Sequence, residues 1–561
     1  MRWLLPDAID PLLSRPLMER TGVSGWLAEL LVRRGITAPE DAESFLQPRL
    51  RRLSDPFRLP GMEAAVNRLL AAIDRGERIV LYGDYDVDGV TSLTLLTRVF
   101  RAYGGNVAAF LPHRVDEGYG LSAEGIDRCV ERHAPQLLIA VDCGTTSVAE
   151  IAMLRENGVD VIVLDHHEPR EELPAAVAVV NPKLGAEFRY LCSAGICFKV
   201  AHALAKRRPL AGFDLKDVLD LVAIGTIADI VPLVAENRIF AKAGLERMQQ
   251  TKWPGVRALV EVAGLSVPYD TGDVGFGLGP RLNAAGRLAS AEAALELLLT
   301  DDDGRARILA KLLDQQNLER RAVEDDVLIK AEAQVRSVCH PTEHAAIVVG
   351  ALGWHPGVVG IVASRLQRRY HRPTIVVGFD PMGVGKGSGR SIEGLCLVSA
   401  LNRCAEHLEK FGGHEMAAGL SLRHELFEAF RTAFGAAARE MLTSEQLVPL
   451  LRIDAELRLR DVCMGLLHEH EWLEPFGMEN RPPVFFIRRV TSGGAPKVLK
   501  EKHLSLILRQ GSDRCRAMWW NAVDLPLPAE PWDVAFTLRR DEWNGSVTVR
   551  MEVADVRTAV E

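Results

Sequence analysis

Ile79-Val80-Leu81-Tyr82-Gly83-Asp84-Tyr85-Asp86-Val87-Asp88-Gly89 is an apolar, strand-like run that breaks into three carboxylates at alternate positions. The same figure recurs downstream. Leu137-Leu138-Ile139-Ala140-Val141 runs into Asp142, and Val161-Ile162-Val163-Leu164 runs into Asp165-His166-His167. More loosely, the strand-like run Leu221-Val222-Ala223-Ile224 leads to Asp229. In open α/β sheets the ligand crevice lies at the carboxyl ends of the strands. One Asp after a strand ordinarily caps the next helix, but a cap needs only one. On an extended segment Asp86 and Asp88 would point the same way. Carboxylates gathered from four places at one sheet edge repel one another unless cations sit between them. Oxygen and imidazole donors together suit Mn²⁺ or Mg²⁺. The pattern predicts an α/β fold with a parallel sheet and a metal-dependent enzyme.

Strand-like and helix-like runs alternate on both sides of this stretch. Thr91 to Tyr103, for example, sets Leu93, Leu96, Val99, Phe100 and Tyr103 on roughly one helical face. This is the βαβ rhythm of a sheet covered on both sides, and it predicts a catalytic domain over residues 61–235. Residues 1–60 look helical and locally basic, an N-terminal extension. Residues 236–342 form a connecting region. Its stretch from Arg305 to His340 has no glycine or proline, which predicts one helix of ~50 Å separating two domains. A second α/β unit is expected over 343–446, with strands at Ala345–Val349 and Thr374–Val377 and helices near 357–370 and 395–411. From 450 to 561 short alternating runs such as Leu504-Ser505-Leu506-Ile507-Leu508 predict a small β-barrel.

At 561 residues the chain exceeds one core. Apolar content of 48% and charged content of 25% are ordinary for a globular protein. No run approaches the ~18–20 apolar residues of a membrane span. Met1-Arg2-Trp3-Leu4-Leu5-Pro6-Asp7 lacks a signal-type apolar region, and nine singly placed cysteines contain no Cys-x-x-Cys pair. A reducing cytoplasm is expected. A net charge of −8 argues against wholesale coating of nucleic acid but leaves room for a local basic channel.

Several motifs extend the opening one: Pro112-His-Arg-Val-Asp-Glu-Gly-Tyr-Gly120, Val141-Asp-Cys-Gly-Thr145, Asp165-His-His167, Gly225-Thr-Ile-Ala-Asp-Ile-Val-Pro-Leu233 and Gly277-Leu-Gly-Pro-Arg-Leu-Asn-Ala-Ala-Gly-Arg287. Trp354–Gly360, Gly387-Ser-Gly-Arg-Ser391 and Gly412-Gly-His-Glu-Met-Ala-Ala-Gly419 follow. In this order they resemble the DHH phosphoesterase superfamily, specifically its bacterial branch of single-strand-specific exonucleases, from about residue 50 to the end. The resemblance implies that Asp86, Asp88, Asp142, His166 and Asp229 hold two Mn²⁺ or Mg²⁺ ions, with Asp142 as the bridge. Asp84 and Asp165 would be ligands or partners orienting the imidazoles, and His167 would face the phosphate. Two ions ~3.5–4 Å apart clamp the attacking and leaving oxygens of a phosphodiester displacement. Relatives often carry His at the place of Tyr82, so one ion site here is weaker or leans on Asp84.

The same resemblance implies a 5′-to-3′ exonuclease degrading single-stranded DNA to mononucleotides in repair and recombination. It would act as a monomer beside a single-strand-binding protein and a repair helicase. Arg114 is either a solvated arginine or part of the family's terminal-phosphate pocket. Ser388 and Arg390 sit in a Gly-rich run that is either a plain tight turn or a phosphate cradle. His414 follows two glycines, as a residue at a helix C-cap or as a phosphate donor. His355 and Arg365 would flank a helix N-terminus near Gly357, an anion site. Arg281, Asn283 and Arg287 would contact the strand's backbone at the entrance. The last domain resembles an OB-fold, with charge from Arg488, Arg489, Lys497, Lys500, Lys502 and His503. Phe476, Phe485, Phe486, Trp519 and Trp520 are core residues or stacking faces, with at least one exposed ring expected. Small-substrate phosphodiesterases of the superfamily lack such a domain, so residues 450–561 argue against them. A catalytically silent scaffold would have lost ligands, and this carboxylate set is nearly intact.

Overall fold

The computed structural model describes residues 1–112, 120–288, 291–543 and 546–559, the side chains of 287, 288 and 543 excepted. The chain divides into two compact units. One consists mainly of Leu312–Leu451; the other gathers the chain up to Gly286, the segment leading to Lys311, and everything from Arg452 onward.

The second of these units contains the sheet predicted by the opening motif. Strands β1 (Arg78–Gly83), β2 (Asn106–Phe110), β3 (Leu137–Val141), β4 (Asp160–Leu164) and β5 (Ala178–Val180) are all parallel, in the order β2-β1-β3-β4-β5. Covered faces explain why β1, β3 and β4 read as unbroken apolar runs rather than alternating ones. The order reverses between β1 and β3, so their carboxyl ends flank the topological switch point where open sheets bind ligands. Helices α1 (Val87–Ala102) and α2 (Ser193–Arg207) pack beside it, α3 (Leu219–Ala228) packs on both, and α4 (Ala235–Met248) packs on α3.

One expectation fails here. Leu221–Ile224 is no strand: it lies inside α3, and Asp229 caps that helix's C-terminus. The run is apolar all round because α1, α2 and α4 enclose it, and a short continuous apolar run has no period to separate helix from strand.

Helices Pro11–Thr21, Gly25–Arg33 and Pro39–Leu46 give the N-terminal segment a small core of Leu17, Leu27, Leu30 and Leu31, completed by Leu473 and Phe476 from far along the chain. Arg238 of α4, 1% exposed, ties the same region together. Its guanidinium donates to the carbonyls of Phe45, Trp472, Leu473, Glu474 and Pro475 at 2.7–3.3 Å. Buried cations are tolerated when every donor is satisfied.

The glycine-free stretch forms α6 (Asp303–Val338), 36 residues and ~54 Å long, following α5 (Gly279–Leu288). In the Leu312–Leu451 unit, which includes most of α6, strands β6 (Ile347–Leu352), β7 (Thr374–Phe379), β8 (Val384–Arg390), β9 (Lys410–Gly413) and β10 (Ala417–Arg423) lie in the order β9-β10-β8-β7-β6. α7 (Pro356–Tyr370) covers one face and α8 (Phe427–Met441) the other. The helix expected over 395–411 stops at Asn402, because 410–413 is needed as the edge strand.

The last segment closes into a five-stranded barrel of β11 (Phe485–Ser492), β12 (His503–Gln510), β13 (Asp513–Trp519), β14 (Trp532–Trp543) and β15 (Ser546–Thr558). The ring runs β11-β14-β15-β13-β12 and is sealed by pairing of Thr491 with Arg509 and Ser492 with Leu508. Phe485, Ile487, Leu506, Phe536 and Met551 fill it. This is OB-type architecture.

Candidate metal centre

The acidic residues reach one place by different local routes. Asp84 directly follows β1, and Asp142 directly follows β3 in the left-handed region, φ +61°, with its N–H donating to Leu164 O at 2.9 Å. A non-glycine residue held there is strained and needs support from its surroundings. Asp86 is the N-cap of α1, accepting from Gly89 N at 3.0 Å. Any Cβ on Gly89 would stand 2.3 Å from Asp84 O, so this tight passage from strand to helix demands glycine. Asp88 lies in the first turn of α1, 1% exposed, and accepts from Ser193 N (2.7 Å) and Ala194 N (2.9 Å) at the start of α2. Asp86 and Asp88 therefore do not point the same way: helix begins between them and sends them to different neighbours.

Among the described residues three sets of ligand atoms each lie within 4.8 Å of one another: Asp84, Asp86 and Asp142; Asp88, His166 and Asp229; and Asp142, His166 and His167. Asp142 and His166 each belong to two sets, so the sets adjoin. Burial, then the charges of Asp88, Asp86, Asp84 and Asp229, pushes Asp142 well above the usual carboxylate range. Burial followed by Asp86 raises Asp88 to about 6, and burial followed by Asp88 and Asp86 raises Asp229 to about 9. His166 moves the other way, to about 3, through burial and the neighbouring His167. Its imidazole is neutral, with Nε2 3.3 Å from Asp142 Oδ1 and 3.6 Å from Asp229 Oδ2. The buried Asp229 Oδ2 accepts no hydrogen bond from the described residues, and it sits at the electronegative end of α3. A ring nitrogen and carboxylate oxygens crowded together in this way fit divalent cations, and the hard donor set fits Mn²⁺ or Mg²⁺.

Asp165 belongs to none of the three sets. Buried at 1% exposure, it accepts from Thr145 N (2.9 Å), His166 N (2.8 Å), His167 N (3.2 Å) and His167 Nδ1 (2.7 Å). Burial alone would raise it, but the His167 and Thr145 bonds outweigh that and hold it well below its usual range. Burial likewise opposes protonation of His167, and the bond and charge of Asp165 overcome it, so His167 is raised. Asn181 Nδ2 completes the arrangement with bonds to Thr145 Oγ1 (3.0 Å) and His167 O (2.9 Å). Tyr82 is fully buried in the apolar core, against Phe110, with its hydroxyl donating to Gly120 O at 3.3 Å. Asp84 is in a ligand set.

Sequence reasoning missed Ser193, Ala194 and Asn181. A serine or alanine at a helix start reads as capping, and Asn181-Pro182 reads as a turn. Thr145 did stand at the end of a recognised motif.

Of the proposed substrate contacts, Arg114 and the Arg287 side chain lie outside the described residues. Arg281 on α5 donates to Gly277 O (2.7 Å) and Val262 O (3.4 Å), and Asn283 on the same helix is half-buried. That helix leans on the acidic loop, because a Cβ on Gly286 would stand 3.2 Å from Tyr85 O.

In the Leu312–Leu451 unit His355 is the N-cap of α7, its Nδ1 accepting from Gly357 N at 3.0 Å. Arg365 lies nine residues beyond Pro356, ~13 Å along the axis. It pairs with Glu324 and Asp325 of α6, both at 2.9 Å, so His355 and Arg365 do not flank one helix end. The Gly-rich run holding Ser388 and Arg390 is strand β8, not a turn. Gly385, Gly387 and Gly389 face Phe379, Leu420 and Ile375 too closely for any Cβ, which turns Lys386, Ser388 and Arg390 to the other face. Arg390 Nη1 donates to Ser388 Oγ at 2.9 Å. His414 is exposed in the hairpin between β9 and β10, where the sequence allowed a helix end.

Phe476 is buried in the core of the N-terminal helices; in the barrel Phe485, Phe486 and Trp519 are buried, whereas Trp520 is 42% exposed beside His503 at 4.8 Å between ring centroids.

Three family descriptions match along the chain: DHH family, N-terminal domain over residues 78–226, DHHA1 domain over 344–440, and RecJ OB domain over 453–555. The chain is 36% identical over 566 residues to the single-stranded-DNA-specific exonuclease RecJ of Bacillus subtilis, covering 99% of this chain and 70% of that protein. It is 36% identical over 581 residues to the same-named protein of Dickeya dadantii, covering 98% and 96%. The crystal structure of RecJ in complex with Mn²⁺ from Thermus thermophilus superposes with a TM-score of 0.86 at 33% identity, covering 100% of this chain and 80% of that one. A Mg²⁺ complex from the same organism gives 0.80 at 30% identity, covering 100% and 79%. With such identity sustained across nearly its whole length, over a sheet edge that gathers this donor set, the chain belongs to the RecJ family.

Proposed function

We propose that the protein is a metal-dependent exonuclease that shortens single-stranded DNA from its 5′ end to mononucleotides, in repair and recombination. The observation that carries this is the adjoining ligand sets sharing Asp142 and His166, where buried carboxylates repel one another in the absence of cations. Their fit to two divalent ions, and the activity named for the relatives, support a phosphodiester hydrolase.

Asp84, Asp86 and Asp142 would hold one ion, and Asp88, His166 and Asp229 the other, with Asp142, which also belongs to the set containing His166, shared by both. When bound, the pair supplies Lewis acidity to the phosphate and lowers the pKa of water. His166 presents Nε2 as a neutral donor. Asp165 fixes the His167 ring through Nδ1, which leaves Nε2 as the ring atom that would meet a phosphate oxygen. Arg114, Arg281, Asn283, Arg287, His355, Arg365, Ser388, Arg390 and His414 would hold the strand. For Arg365 that role competes with its pairs to Glu324 and Asp325.

Residues 61–235 would carry the chemistry, 343–446 would grip phosphates, and 450–561 would bind single strands, next to the extension (1–60) and the connecting region (236–342). A single-strand-binding protein and a repair helicase are the proposed partners of a cytoplasmic monomer. No described helix is long and apolar enough to cross a membrane.

Incubation with DNA labelled at either end, with and without Mn²⁺, tests the reading. The expected result is Mn²⁺-dependent release of mononucleotides from the 5′ label first. Release from the 3′ label first, or cleavage unaffected by chelator, would refute it.

A further inference from the structure

The first residue of α2 touches carboxylates from two different ligand sets. Ser193 N donates to Asp88 Oδ2 at 2.7 Å, and Ser193 Oγ donates to Asp142 Oδ1 at 2.8 Å. Ala194 N completes the grip on Asp88 through Oδ1 at 2.9 Å. Ser193 is fully buried, and its hydroxyl does not cap its own helix: the N-cap is Cys192, which makes no side-chain cap bond. A serine hydroxyl at a helix start ordinarily bonds its own helix. Here it reaches a carboxylate 51 residues away in sequence.

Asp142 is also the strained residue of the centre, with φ +61°, and it belongs to two ligand sets. A carboxylate that serves two cation positions must be fixed in rotation, because a small turn favours one position over the other. Its backbone N–H is anchored on Leu164 O, and the Ser193 hydroxyl fixes one of its oxygens.

We propose that Ser193 is a positioning residue that couples the two cation sites. Its N–H holds Asp88 of one set, and its O–H sets the rotation of Asp142, which the other sets share. This rests on the reading of the cluster as a two-ion centre. The hydroxyl acts only through Asp142 and touches no substrate. Outer partners of metal ligands typically govern 10–100-fold in metal affinity.

Ser193→Ala removes the hydroxyl and keeps the N–H to Asp88. Ser193→Cys is nearly isosteric but replaces a strong donor by a weak one. Mn²⁺ binding to the full-length wild type and both variants is measured by titration calorimetry and by the electron paramagnetic resonance of free Mn²⁺. Each protein is also melted in chelator. Wild type binding two Mn²⁺ tests the two-ion reading separately; fewer than two would sink that reading, and this proposal with it.

With two bound, the expected result is a 10–100-fold weaker Mn²⁺ affinity in both variants, unequal between the ions, with chelated melting temperatures close to wild type. Wild-type affinity in Ser193→Ala would overturn the proposal. So would wild-type affinity in Ser193→Cys alone, since the serine would then only fill space. A collapse of either variant's metal-free melting transition would assign Ser193 a packing role, and equally overturn it.

Discussion

Mn²⁺ should bind this protein with an affinity that rises steeply with pH, because ligands of the metal-free centre hold protons that the ions must expel. Asp229 is pushed up to about 9, by burial first and then by Asp88 and Asp86. Asp142 lies well above the usual range for related reasons. Each pH unit below a ligand's pKa costs about 1.4 kcal/mol of apparent binding free energy per proton released. At pH 7 the Asp229 proton alone therefore costs about 2.7 kcal/mol, a roughly 100-fold weaker Kd than with Asp229 fully ionised. From pH 7 to 8.5 the Kd should fall about tenfold per pH unit, or more steeply where Asp142 also releases its proton.

The stability of the metal-free protein should show the opposite sign. A carboxyl raised from 3.8 to about 9 on folding binds its proton more tightly in the folded chain. Its contribution is complete below pH 4 and is lost as pH rises toward 9. The metal-free melting temperature should accordingly fall over that window, and Mn²⁺ should abolish the fall. The assay is calorimetric titration under argon at several pH values, each in two buffers of different ionisation enthalpy, which counts the protons released. Asp229→Asn, unable to ionise, should release one proton fewer. An affinity independent of pH between 6.5 and 9, with no proton released, would refute the electrostatic account of the centre.

Asp142→Ala should leave the fold intact and reduce cleavage at saturating Mn²⁺ to below a few per cent of wild type, since Asp142 belongs to two ligand sets; single-turnover rates and circular dichroism check both halves. Arg390→Ala should weaken capture of a 5′-phosphorylated strand by the ~1.5–3 kcal/mol of a charge-assisted contact. Strands with and without the phosphate should then converge in rate, and Arg114→Ala should behave alike. Trp520→Ala should cost ~1–3 kcal/mol of single-strand binding, read by fluorescence anisotropy in Ca²⁺. The adjacent, buried Trp519→Ala should instead cost ~3–5 kcal/mol of stability in urea unfolding.

The catalytic sheet was legible because its strands are covered on both faces and end in charge. The same reasoning misread Leu221–Ile224, where helices on several sides make a helix as apolar all round as a central strand. It also offered a tight turn as one of two readings of Gly387-Ser388-Gly389-Arg390, which lies in a strand. Alternating glycines usually mean bends, but in β8 they make room for Phe379, Leu420 and Ile375 pressing on one face. Glycine reports the lack of space for a Cβ, and only the tertiary neighbours reveal whether a bend or a packed sheet removes that space.

The candidate centre divides along the same line. Asp84, Asp86, Asp88, Asp142, Asp165, His166, His167 and Asp229 could be read because ionisable groups are costly to bury without a use. Their division of labour could not. Asp165 looks equal to Asp142 in sequence, yet one carboxylate receives four hydrogen bonds and orients an imidazole while the other is shared between ligand sets. Asp86 and Asp88, two residues apart, part company because α1 begins between them. Ser193 carries no signal at all: its chemistry is that of any serine at a helix start, and only the fold aims its hydroxyl at Asp142. Carboxylates thus mark the position of the centre, while neutral donors from other elements decide which oxygens remain for the ions. A second protein with the same carboxylates and different neutral donors should therefore bind ions at the same place with a different balance between the two sites.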